Sequence, residues 1–79
     1  MKKIYVLTNN KYIPVCETVE VFSTLEKCVD ELIELAAEEC WYLDKKEIMK
    51  EARKREKERC VYIYIFEELG YSILPNILQ

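Results

Sequence analysis

The chain has no histidine, a single glycine and only two prolines among its 79 residues. Each shortage excludes something. Without histidine the commonest general base is missing. With Gly70 as the only glycine there is no G-x-G-x-x-G, no P-loop and no G-x-S-x-G, so no loop of this chain is suited to cradling phosphate or presenting a nucleophile. The low glycine and proline content also argues against a disordered or low-complexity chain. Long hydrophobic runs are absent too: the longest, residues 60–66, is far short of a membrane-spanning helix. Lys2 and Lys3 would suit the charged start of a secretory leader, but Asn9, Asn10 and Lys11 break the chain before an apolar leader segment can form. A cytoplasmic, non-enzymatic protein with no membrane association, no cofactor and no metal is expected.

What is present is apolar and charged in generous measure. Hydrophobic residues make up 51% and charged residues 34% of the chain. The length suits a single domain, residues 1–79, of a size that often relies on a disulfide, a metal or a partner subunit for stability. Four cysteines, Cys16, Cys28, Cys40 and Cys60, are spaced 12, 12 and 20 apart. No C-x-x-C pair occurs, which is not a zinc-knuckle pattern. Free, buried thiols acting as small hydrophobes are the expectation. A disulfide is the alternative, since intracellular disulfides occur in hyperthermophiles, whose Lys/Glu-rich composition this chain shares.

Periodicity suggests the elements. Residues 3–8 read as a strand, followed by a turn at 9–11 and an extended region over 12–22 with Pro14 near its start. Val15, Glu17, Val19 and Val21 share one face of that region, with burial expected to begin near Val19. Ser23-Thr24-Leu25-Glu26 has the form of a capping box with Ser23 as the cap, opening a helix to about residue 41. Leu25, Cys28, Val29, Leu32, Ile33, Leu35, Ala36 and Cys40 form its broad apolar face. Asp44-Lys45-Lys46-Glu47 opens a second helix over 45–59, with a thin stripe of Ile48, Met49 and Ala52, then Cys60. One continuous helix over 24–59 is the alternative. Residues 61–67 alternate Val61, Ile63, Ile65 against Tyr62, Tyr64, Phe66, and two apolar faces point to a central strand. The apolar tail 71–78 must dock on its own domain or on a partner. The expected fold is α+β: a small antiparallel sheet of about three strands plus the C-terminal tail, with two helices packed on one face, in the order β-β-α-α-β.

Charge is strongly polarised. Residues 17–44 hold nine acids against one base, whereas residues 45–59 hold eight bases against four acids. On the first helix Glu26, Asp30, Glu31, Glu34 and Glu38 lie opposite the apolar face and form a candidate partner-binding surface. On the second, Lys46, Lys50, Arg53, Lys54 and Lys57 line a stripe that could grip nucleic acid phosphates. A sequence pI near 5.0 argues against a dedicated nucleic-acid binder. Solvated faces with i,i+4 pairs such as Glu51–Arg55 and Lys54–Glu58 are the plain alternative for both stripes, as is charge pairing between the helices. Tyr62, Tyr64 and Phe66 could form a base-stacking platform, but a core face or dimer interface is favoured. With the tail residues Ile73, Leu74, Ile77 and Leu78 they make more apolar surface than one small core should need. A homodimer is therefore expected.

The strand–cap–helix unit at residues 19–27, the opening strand at 4–8 and the closing strand at 61–69 together resemble short α/β proteins of phages and archaeal viruses. Members of that group with known roles are anti-CRISPR and other anti-defence inhibitors. The resemblance implies a small non-enzymatic viral or mobile-element protein that binds and inhibits a host protein, with a CRISPR effector or other defence component as target. The basic second helix departs from the purely acidic pattern of a DNA mimic. A nucleic-acid-binding regulator and a structural homodimer are the alternatives.

Overall fold

The computed structural model describes residues 2–9 and 17–78, with side chains described for 3–9 and 18–76. Six elements follow one another: β1 (Lys2–Asn9), β2 (Glu17–Phe22), α1 (Leu25–Glu38), α2 (Lys45–Lys57), β3 (Tyr64–Phe66) and β4 (Tyr71–Leu78). The strands form one antiparallel sheet in the order β2-β1-β4-β3. Both helices pack on the same face, so the fold is α+β as the periodicity implied, and β1 and β2 form the expected antiparallel pair. The turn at 10–11, Pro14, Val15 and Cys16 lie outside the described residues.

The tail is a strand and lies inside the sheet, with β1 on one side and β3 on the other. Position in the sheet explains how Pro75 is tolerated there. The Ile73 carbonyl accepts from the Ile63 N–H at 2.9 Å, so the odd residues of β4 direct their backbone groups away from β1. The missing N–H of Pro75 therefore falls on the side where β3 has already ended. In turn, the strand expected over 61–67 is short and peripheral. Its both-sided apolar pattern reflects a different arrangement: Ile63 is fully buried ahead of the strand, Tyr64 and Phe66 face the helices, and Ile65 faces away.

The phase of β2 also differs from expectation. Phe22 pairs with Tyr5 and Glu20 with Leu7, which turns these two toward the helices. Val21 pairs with Val6 and looks out from the opposite face. A bulge beside Leu7 and Thr8 interrupts the alternation next to Val19, which is also exposed. Simple alternation could not reveal whether the valines or the Glu/Phe set would meet the core, because the bulge resets the register.

Thr24, not Ser23, caps α1: its side chain accepts from the Lys27 N–H at 3.2 Å. Asp44 caps α2 as expected, accepting from the Lys46 N–H at 3.0 Å. Both helices end early, and for the same reason. At the first, the Cys40 and Trp41 N–H groups donate to Ala37 and Ala36; at the second, the Arg59 and Cys60 N–H groups donate to Glu56 and Arg55. Each is a Schellman closure with its pivot residue in the left-handed region, Cys40 at φ 64° and Arg59 at φ 60°. That closure excludes the continuous helix. The one glycine is used in the β3–β4 turn, at φ 72°.

The core lies between helices and sheet. Leu7, Ile63 and Ile73 meet Leu25, Cys28, Val29 and Leu32 from α1 and Ile48 and Ala52 from α2. A second cluster of Ala36, Phe66 and Leu69 adjoins it through Leu43, Tyr64 and Tyr71. Trp41 stands edge-on to Phe66, with ring centroids 5.4 Å apart at 79°. The Asn9 side chain donates to the Leu69 carbonyl at 3.0 Å, tying the β3–β4 turn to the end of β1. Among the described residues no helix is long and apolar enough to cross a membrane.

Candidate functional site

The five acids expected to form one surface are divided by Lys45. Its ammonium, at the start of α2, lies 3.2 Å from Glu26 and 2.9 Å from Asp30, and these two carboxylates hold its proton more firmly. Glu26 and Asp30 thus belong to the contact between the helices. Glu31, Glu34 and Glu38 lie on the flank toward β2, where Glu20 joins them. Partial burial pushes the Glu31 carboxyl up, and the charges of Glu34, Glu20 and Glu38 push it further. Among the described residues no cation pairs with any of these four. The candidate surface is therefore an acidic ridge of Glu20, Glu31, Glu34 and Glu38. Glu20 could not be assigned to it from the sequence, because it sits on a strand whose register the bulge sets.

The ridge ends where acid is least welcome. Glu38 closes the last turn of α1 and Glu39 is its C-cap, with no basic residue in that turn. Carboxylates there face the negative end of the helix dipole, at a typical cost of about 0.3–1 kcal/mol each.

The basic stripe of α2 is intact. Lys46, Lys50, Arg53, Lys54 and Lys57 are all exposed, and none forms an ion pair among the described residues. The i,i+4 pairs Glu51–Arg55 and Lys54–Glu58 do not form. Lys54, Arg55 and Lys57 occupy the last turn of α2, where the dipole favours cations. Part of this stripe thus has an explanation within the helix itself, which the ridge on α1 lacks.

A third polar centre joins α2 to the sheet. The Tyr5 hydroxyl donates to Glu56 at 2.8 Å, and Lys3 forms an ion pair with the same carboxylate. Burial opposes the charge on Glu56, but Lys3 and Tyr5, helped by Arg53, outweigh it and hold the carboxyl below its ordinary range. The Tyr5 phenol is pushed up to about 12, first by burial and then by Glu56. This centre ties α2 to β1 and leaves its carboxylate engaged.

Two shallow clefts adjoin α2. One of about 250 Å³ has Leu43, Ile48 and Tyr64 as its floor and Asp44, Glu47 and Glu51 at its rim. Its carboxylates do not converge as metal ligands would, and no described group of three or more Cys, Asp or Glu does. The other, of about 360 Å³, lies between Lys3, Glu56, Arg59, Cys60, Pro75 and Asn76. Cys28 is fully buried, and desolvation raises its thiol to about 12. Cys40 is exposed and Cys60 half-buried, contrary to the expectation of uniformly buried thiols; all three are free.

The apolar residues expected at a dimer or stacking surface are dispersed. Phe66 and Ile73 are core, and Tyr64 packs against it from the helix side. Tyr62 precedes β3 instead of sharing a face with Tyr64 and Phe66. Phe66 and Ile73 are therefore taken up by the core, Tyr64 is partly so, and Tyr62 is exposed. Leu74 lies on the opposite sheet face, half-buried; the side chains of Ile77 and Leu78 lie outside the described residues. No described element covers that opposite face. No protein-family model, curated protein or solved structure matches the chain.

Proposed function

We propose that the chain is a non-enzymatic binding protein of viral or mobile-element origin. It acts in the cytoplasm of a host cell by docking its acidic ridge onto a basic surface of a host protein and blocking that surface, a CRISPR effector or other defence component being the target class. The observation that supports this reading is the cost of the ridge. The charges of Glu34, Glu20 and Glu38 all bear on Glu31 without a described cation among them, and Glu38 opposes the dipole of its own helix. Folding alone would favour lysine or arginine at the end of α1. An acidic ridge retained against local stability suits electrostatic steering toward a positively charged partner. The unpaired stripe on α2 supports a second reading, a nucleic-acid-binding regulator. The helix dipole accounts for part of that stripe, which places it second.

Affinity capture from host lysate tests both. The intact chain is compared with a Glu20/Glu31/Glu34/Glu38→Gln variant and a Lys46/Lys50/Arg53/Lys54/Lys57→Gln variant, each with and without nuclease. Capture of one protein complex that resists nuclease and is lost only in the acidic-ridge variant supports the first reading. Capture lost on nuclease treatment and in the basic-stripe variant replaces it with the second.

A further inference from the structure

We propose that the sheet face opposite the helices, which no described element covers, is the contact surface for a second copy of this chain, giving a back-to-back dimer with the helices outermost. The face is built from alternate residues of all four strands: Ile4 and Val6 on β1, Val21 on β2, Leu74 on β4 and Ile65 on β3. Val21 is 50% and Ile65 42% exposed, and the other three are half-buried. Thr8 and Ser72 sit among them, paired and shielded, with the Thr8 hydroxyl 3.5 Å from the Ser72 carbonyl. The pattern is that of a face meant to be covered: β-branched residues at the centre, small hydroxyls satisfied within the sheet.

Charge and size select the occupant. None of these seven side chains carries a charge, and the one lysine in the same alternation, Lys2, stands at the outer end of β1, so the centre of the patch can meet a copy of itself across a two-fold axis without like-charge repulsion, as an isologous interface requires. The acidic ridge and the basic stripe could not each meet themselves in that way. Strands about 4.8 Å apart and residues about 3.3 Å apart make a face of roughly 15–19 by 26 Å, or about 400 Å² in projection before side-chain relief is counted. A standard interface buries about 800 Å² of accessible surface on each partner, so a patch of this size makes a weak, concentration-dependent dimer. Two twisted sheets packing about 10 Å apart at about −30° is the ordinary geometry for such faces. A domain of this size also gains a second layer that its own helices do not supply.

Sedimentation equilibrium on the full chain tests the proposal without any partner. The intact chain is expected to have twice its 9.5 kDa mass at tens of micromolar. Val21→Lys and Ile65→Lys, at positions facing solvent in the single chain, are expected to give monomers with unchanged far-ultraviolet circular dichroism. Ile65→Thr, which keeps β-branching, is expected to weaken association at least tenfold. Tyr42→Lys, on the exposed connection between the helices, should leave the dimer intact. A monomeric mass for the intact chain overturns the proposal, as does a dimer that Ile65→Thr leaves unweakened.

Discussion

Replacing Tyr5 with phenylalanine isolates the bond that fastens α2 to the sheet. The hydroxyl donates to a charged carboxylate at 2.8 Å, and Tyr5 is 8% exposed. Hydrogen bonds to charged groups contribute about 1.5–3 kcal/mol. The Glu56 side chain keeps Lys3 as a partner and is 15% exposed, so some of the loss is recovered by water. The expected destabilisation at neutral pH is therefore near the lower limit, about 1.5 kcal/mol. With an m-value of about 1 kcal/mol/M, the urea midpoint falls by roughly 1.5 M. The effect has a pH signature. Glu56 titrates below its ordinary 4.5 in the folded chain, so its charged form contributes stability that is present above that value and is lost as pH falls through the lowered folded pKa. The gap between the intact chain and Tyr5→Phe should be constant above about pH 5.5 and narrow toward pH 2, where a neutral bond contributes nearer 0.5–1 kcal/mol. Urea titrations followed by circular dichroism across that range measure it. A gap under about 0.3 kcal/mol at pH 7, or one that widens in acid, would refute the reasoning.

Glu31→Gln should act in the opposite sense. Its carboxyl is raised above 4.5, so the folded chain loses stability as pH rises through the raised value. The variant is expected to be more stable by a few tenths of a kcal/mol at pH 7, the usual scale of like-charge neighbours, and indistinguishable below pH 4 in the same urea titrations. Arg59→Gly relieves a left-handed backbone and should raise the thermal midpoint, by about 0.5–1 kcal/mol of stability read from calorimetry. An unchanged or lower midpoint would mean that the Arg59 side chain contributes more than the strain costs. Under a thiol reagent monitored by peptide mass, Cys40 should label at once and Cys28 only at the rate of global unfolding, since burial leaves its thiol inaccessible and protonated up to about 12.

Helices were legible in the sequence because amphipathic spacing and caps are local. The apolar face of α1, apart from the exposed Cys40 beyond its end, and the thin stripe of α2 pack where periodicity placed them, and Asp44 caps as expected. The ends were less legible. A glycine usually marks a Schellman closure, and here Cys40 and Arg59 take that role without any compositional signal. Strand order was harder still, because it depends on pairing between distant segments. Residues 61–67 carry stronger strand propensity than the proline-containing tail, yet the tail pairs on both sides and the other stands at the edge. Pro75 is admitted only by where β3 stops, which no single-segment pattern shows.

The candidate site was legible as a charge distribution and not as a surface. Net charge by segment correctly separates an acidic first helix from a basic second one. It could not show that Lys45 reaches back to engage Glu26 and Asp30, nor that Glu20 takes their place beside Glu31. Both depend on how the extended connection at 41–44 returns along α1 and on the bulge in β2. The exposed apolar surface is legible in amount and not in place: part of it lies on Val21 and Ile65, on a face that alternation alone could not distinguish from the core face, and part on Trp41, Tyr42, Val61 and Tyr62 in the connections.

The most direct test of the proposed function is the affinity of the chain for its captured host protein across a range of salt, measured beside the Glu20/Glu31/Glu34/Glu38→Gln variant. If the ridge binds, the intact chain should weaken steeply as screening shortens the reach of its charges, and the variant should bind weakly with little dependence on salt. A flat salt response from the intact chain, or equal affinity from the two, would contradict the claim that the acidic ridge is the working surface.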